Sequence, residues 1–160
     1  MNKIQPSVYI ESSVISYYSS KPSRDLIVAA HQQITTEWWE SSLPNFDAYI
    51  SQVVLDEIRQ GDTVAADRRE KSVEPFAVLE MRPDIAKLAY EYFSEIKLAD
   101  KKRADSFHLA LAAWHGIDYL VSWNCIHIAS ARVRKIVERI NEKHGIDTPV
   151  ICTPEELMEV

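Results

Sequence analysis

Apolar positions along the chain alternate between two rhythms. Val8-Tyr9-Ile10 is a short β-prone run that ends at Glu11, whereas Leu26, Ile27, Ala30, Ile34 and Trp38 recur at helical spacing. A strand followed by a helix is predicted. Phe46 to Ile50 reads as a second strand and leads into Val53 to Ile58, a helix stopped at Gly61. Asp62 can cap a further helix, Phe76 to Met81 has the apolar content of a strand, and Pro83 opens a helical stretch over Asp84 to Ile96. Arg103 to His115 is rich in Ala and Leu, with Gly116 where a C-terminal cap belongs. Tyr119 to Trp123 comes next as a strand, Ser130 to His144 as a basic amphipathic helix ended by Gly145, and Val150 to Cys152 as a last strand. Thr153, Pro154 and Glu156 then carry a capping box that predicts a closing helix.

Strands alternating with helices predict an α/β fold: a mostly parallel central sheet flanked by helices on both faces, with right-handed crossovers. No repeat or Gly/Ser/Pro-rich linker divides the 160 residues, so one domain spanning 1–160 is expected. In open sheets of this kind, sites form outside the carboxyl ends of the strands. Glu11 and Asn124 each fall at or just past such an end.

Composition narrows the class. Hydrophobic residues make up 46% and charged residues 26%, near the average for globular proteins, so neither disorder nor a fibrous class is indicated. The N-terminus carries no basic stretch followed by a long apolar run, and no segment approaches the roughly 18 apolar residues of a membrane span. A cytoplasmic location without membrane attachment is expected, with Cys125 and Cys152 as reduced thiols. A net charge of −6 argues against nonspecific coating of nucleic acid, which rests on neutralising many phosphates. Local contact remains open through Arg68-Arg69-Lys71, Lys101-Lys102-Arg103 and Arg132-Arg134-Lys135, although such groups usually form solvated helix faces.

Three acids can carry chemistry, each with a simpler alternative. With Val53 at zero on a wheel of about 100 degrees per residue, Glu57 falls at about 40 degrees, inside the apolar arc, while Asp56 points away. An inward carboxylate must be paired, hydrogen-bonded or metal-bound; the alternative is a glutamate reaching solvent at the helix edge. Asp105 stands at the start of the Ala-rich helix, where it also suits the helix dipole. His108, one turn on, has a spacing suited to shared metal ligation, but beside Leu109 and Leu111 it reads as a packed core residue. Glu11 can simply end its strand, with Ser12 and Ser13 capping the next segment. No Gly-rich phosphate loop, paired-Cys zinc spacing or nucleophile elbow competes with these acids.

Val8-Tyr9-Ile10-Glu11-Ser12-Ser13-Val14-Ile15, Ser51-Gln52-Val53-Val54-Leu55-Asp56-Glu57, Ala104-Asp105-Ser106-Phe107-His108-Leu109-Ala110 and Leu120-Val121-Ser122-Trp123-Asn124 occur in this order. Together they resemble the PIN domain family, specifically the VapC-like toxin branch of type II toxin-antitoxin pairs. The resemblance spans nearly the whole chain and implies a PIN-like three-layer fold. It further implies a Mg²⁺- or Mn²⁺-dependent endoribonuclease cleaving single-stranded RNA, with the metal held by Glu11, Glu57 and Asp105 and with Asn124 completing the catalytic set. Ser12, Ser122, Lys101, Lys102 and Arg103 would meet the substrate, and a cognate antitoxin would be a partner. The family's first acid is normally Asp, where this chain has Glu11, and its fourth acidic position is Asn124 here. An amide oxygen can ligate but brings no charge, so a second cation would be held weakly. The same two departures suit an alternative, a degenerate PIN domain that binds RNA or protein without cutting. Trp38, Trp39, Tyr17 and Tyr18 are either interface aromatics, for a partner or a homodimer, or core packing, the simpler reading.

Overall fold

The computed structural model describes residues 4–158. At its centre lies β1 (Ser7–Ile10), flanked by β2 (Asp47–Ser51) and β4 (Tyr119–Val121), with β3 (Ala77–Leu79) and β5 (Val150–Cys152) at the edges. The sheet order is β3-β2-β1-β4-β5, and every neighbouring pair is parallel. Parallel neighbours need crossover connections, and the intervening segments supply α1 (Ser12–Ser19), α2 (Leu26–Glu37), α3 (Gln52–Ile58), α4 (Thr63–Val73), α5 (Pro83–Ile96), α6 (Arg103–Trp114) and α7 (Ala131–His144). α1 packs against α2, α3 and α4, while α5 packs against α6 and α7. The expected α/β architecture, a parallel sheet flanked by helices in three layers, is therefore present. The middle strands explain why their sequences read as continuous apolar runs: Val8, Tyr9, Ile10, Leu120 and Val121 are fully buried. Burying each such side chain contributes about 1.5–3 kcal/mol.

Topology decides where a site can form. From β1 the chain fills one side of the sheet with β2 and β3, then fills the other side with β4 and β5. The order reverses between β1 and β4, and the crevice lies past their carboxyl ends. Glu11 and Ser122 are the first residues beyond those two strands, and the Glu11 amide still donates to the Val121 carbonyl at 3.1 Å.

Some elements differ from the sequence expectation. α1 is a helix that apolar periodicity did not announce; it begins because the Glu11 side chain accepts from the Ser13 amide and because Val14 and Ile15 bury. β4 stops at Val121: the Ser122 amide still donates to Cys152 O at 3.0 Å, but its hydroxyl turns to Glu11, and the Trp123 ring packs on His31. The helical spacing through Trp38 continues into a π-helical turn over Trp38–Ser42, with Trp38 fully buried. Tyr17, Tyr18 and Trp39 are half-buried, and Tyr18 stacks on Trp39 with ring centroids 4.2 Å apart. At the C-terminal end the capping box forms, with Glu156 N–H donating to Thr153 Oγ1 at 3.3 Å, but only one 3-10 turn comes after it, over Glu155–Leu157. Any extension into residues 159–160 lies outside the described residues. Cys125 is exposed and Cys152 buried, both as free thiols, and burial pushes the Cys152 thiol up to about 12. Among the described residues, no helix is long and apolar enough to cross a membrane.

Candidate metal centre

Glu11 is buried at the end of β1, and three donors hold its carboxylate. Ser13 Oγ and Ser122 Oγ each donate to Oε1 at 2.5 Å, and the Ser13 amide donates to Oε2 at 3.1 Å. Ser13 Oγ in turn accepts from the Trp123 amide at 2.9 Å, which ties the first turn of α1 to the loop after β4. Each carboxylate oxygen has two acceptor sites, so Oε2 keeps one for another ligand.

Glu57 reaches the same crevice from α3, whose N-cap Ser51 accepts from the Val54 amide at 3.3 Å. The wheel reading holds: Asp56 is exposed and bonded to Gln52, while Glu57 turns inward. Its Oε1 accepts from Ser12 Oγ at 2.9 Å and from His108 Nε2 at 2.5 Å. Burial alone would raise the Glu57 pKa, but the His108 ring, the Ser12 hydroxyl and the Lys102 ammonium together hold it below the usual carboxylate range. His108 is fully buried on α6, as its core reading predicted, yet both ring nitrogens are bonded. Nδ1 lies 2.7 Å from Tyr9 Oη, which is itself 2.7 Å from Ser51 Oγ. Burial disfavours a charged ring, but the bond to Glu57 and the fields of Glu11, Glu57 and Asp105 raise the His108 pKa above its ordinary value. Tyr9 is pushed the same way by burial and by the nearby carboxylates, so its phenol keeps its proton.

Asp105, buried in the first turn of α6, bonds through Oδ2 to His127 Nδ1 at 3.0 Å. Asn124 builds the loop that delivers His127: its Oδ1 accepts from the His127 amide at 2.9 Å and from the Ile126 amide at 3.3 Å. The amide at the fourth expected position is therefore engaged with its own turn.

Ligand atoms of Glu11, Glu57 and His108 lie within 4.8 Å of one another, close enough to hold one metal ion. Asp105, expected as the third ligand, stands outside that trio but near enough to act on His108. Because an ionised carboxylate only accepts, His108 Nε2 carries the proton of the Glu57 bond. In this arrangement the ring buttresses Glu57, and the oxygens left for a cation suit a hard ion. Among the described residues, Glu57 Oε2 and Asp105 Oδ1 have no hydrogen-bond partner. The trio could thus hold a metal ion, whose charge would also relieve the neighbouring Glu11 and Glu57 carboxylates.

The residues expected to meet substrate divide. The hydroxyls of Ser12 and Ser122 are committed to Glu57 and Glu11. Lys101, Lys102 and Arg103 are exposed just before Asp105; Lys102 acts on Glu57, while Arg103 pairs with Asp100 at 3.5 Å and lies over Phe93. A cleft of about 550 Å³ lined by Pro6, Asp118, Tyr119 and Val150 opens at the other end of the strands and contains none of these groups. Tyr9 and His127 were not singled out as site residues from the sequence, because the contacts that tie them into the crevice span distant parts of the chain. Ser13 was read only as a cap, although its bonds to Glu11 are local, and the Asn124 turn that places His127 is a second local signal. No family model and no curated protein matches this chain.

Proposed function

We propose that the crevice binds Mg²⁺ or Mn²⁺ and hydrolyses phosphodiester bonds of single-stranded RNA, as the resemblance to VapC-like PIN domains implies. One observation carries this reading: ligand atoms of Glu11, Glu57 and His108, from three separate parts of the fold, lie within 4.8 Å of one another past the switch point of a parallel sheet. Two carboxylates brought this close repel each other, which a bound cation would relieve. When bound, a divalent ion supplies a more acidic water and positive charge against a phosphate. Glu57 Oε2 and the spare acceptor site of Glu11 Oε2 would hold it, with Asp105 outside that group adding negative charge. Lys101 and Lys102 stand exposed just before Asp105 in the chain, Lys102 acting on Glu57, where ammonium groups attract a phosphate backbone. Under the same reading, a cognate antitoxin would cover this basic, acidic-centred face.

A specific observation favours a second reading, a binding module that does not cut. Glu11 has three of its acceptor sites filled, and Asn124 is spent on its own loop, so fewer oxygens are free than four acids would offer. Cleavage of labelled single-stranded RNA with Mg²⁺ or Mn²⁺ separates the two. Cutting that is lost with chelator and in Asp105→Asn supports the nuclease. No cutting by folded protein with either metal sinks it and leaves the binding module.

A further inference from the structure

The bonds behind Glu57 form an unbroken chain through the interior. The Val54 amide donates to Ser51 Oγ, Ser51 meets Tyr9 Oη, Tyr9 meets His108 Nδ1, and His108 Nε2 donates to Glu57 Oε1. It links β2, β1, α6 and α3, and Tyr9 and His108 within it are fully buried. For stability alone, apolar side chains of similar shape would serve as well, because a buried polar network gains little over good packing. This network instead ends on a half-exposed carboxylate. Two donors, His108 Nε2 and Ser12 Oγ, converge on Oε1, and Oε2 is left without one.

We propose that Tyr9 and His108 are positioning residues: together they select which Glu57 oxygen is held inward and which is presented to a divalent cation. The inference rests on the cation reading of the crevice. Tyr9 fixes the ring through Nδ1, and the ring fixes the carboxylate through Nε2. This is the relation outer partners of metal ligands have, and its loss weakens metal binding by about ten-fold or more.

Mn²⁺ titration of the purified chain by electron paramagnetic resonance tests this without any cleavage step. Tyr9→Phe should raise the Mn²⁺ dissociation constant about ten-fold. Tyr92→Phe, which removes another buried hydroxyl, bonded to Asn141 away from the crevice, should leave it within about two-fold. His108→Gln keeps an N–H able to reach Glu57 and should bind more tightly than His108→Leu, which has none; this pair decides if Tyr9→Phe does not fold. Wild-type binding matched by Tyr9→Phe, or equal binding by the two His108 variants, overturns the positioning role and leaves the cation reading standing. Absence of Mn²⁺ binding to the wild-type chain overturns both.

Discussion

Replacing Ser122 with alanine removes one hydroxyl that serves two partners. Its Oγ donates to Glu11 Oε1 at 2.5 Å and accepts from the Asn124 amide at 2.9 Å, and Ser122 itself is fully buried, so water does not readily take the place of its hydroxyl. A hydrogen bond to a charged group contributes about 1.5–3 kcal/mol and one between neutral groups about 0.5–1.5 kcal/mol. Their joint loss should destabilise the chain by about 3 kcal/mol. At about 3 °C per kcal/mol for a domain of this size, the melting temperature should fall by about 9 °C. With a urea slope of about 2 kcal/mol/M, the midpoint should drop by about 1.5 M. Ser20→Ala is the comparison, because the hydroxyl of this exposed residue just past α1 bonds only to Ser16 O in the last turn and should shift stability by no more than about 0.5 kcal/mol. If urea denaturation placed Ser122→Ala with Ser20→Ala, the claim that Ser122 fastens Glu11 would be wrong.

The Glu57–His108 pair should shape stability from both sides of neutral pH. Glu57 is held below 4.5, so its contribution is present above that pH and lost as pH falls through the folded value. His108 is held above 6.5, so its contribution is present below that pH and lost as pH rises through the folded value. Urea midpoints measured from about pH 4 to about pH 9 should therefore decline at both ends, and Glu57→Gln should flatten the alkaline decline. An alkaline decline as steep in Glu57→Gln as in wild type would contradict the pairing. Asn124→Asp keeps the Oδ1 acceptor for the Ile126 and His127 amides and should melt close to wild type, while Asn124→Ala should lose about 1 kcal/mol. Equal melting temperatures for the two variants would show that the side chain does not hold the turn.

How much of the structure was legible in the sequence depends on the range of the forces involved. Helices with a local stop signal and an amphipathic stripe were legible: α7 ends at Gly145, which takes a φ of 67° as a C-cap glycine does. Glu57 was legible as an inward carboxylate because helical geometry alone places it among Val53 and Val54. α1 was not, since Ser12–Ser19 is made of serine, β-branched and aromatic residues that favour helix only weakly. Its start depends on a cap from Glu11 and on burial of Val14 and Ile15. The bonded state of His108 was equally invisible, because its partners lie 99 and 51 residues away. A buried histidine and an inward glutamate were each read correctly as isolated residues. That they satisfy one another is a property of the packed chain.

Glu11 starts a helix and also supplies a carboxylate to the crevice. A variant at this position would change how much folded protein a cell retains as well as what that protein can do, because a loss of one or two kcal/mol alters abundance several-fold. Phenotypes of Glu11 variants therefore mix quantity with chemistry. Glu57 and Asp105 carry no capping duty but are paired with buried or half-buried histidines, so a genetic screen of all three positions would separate the two effects only where protein abundance is measured beside phenotype.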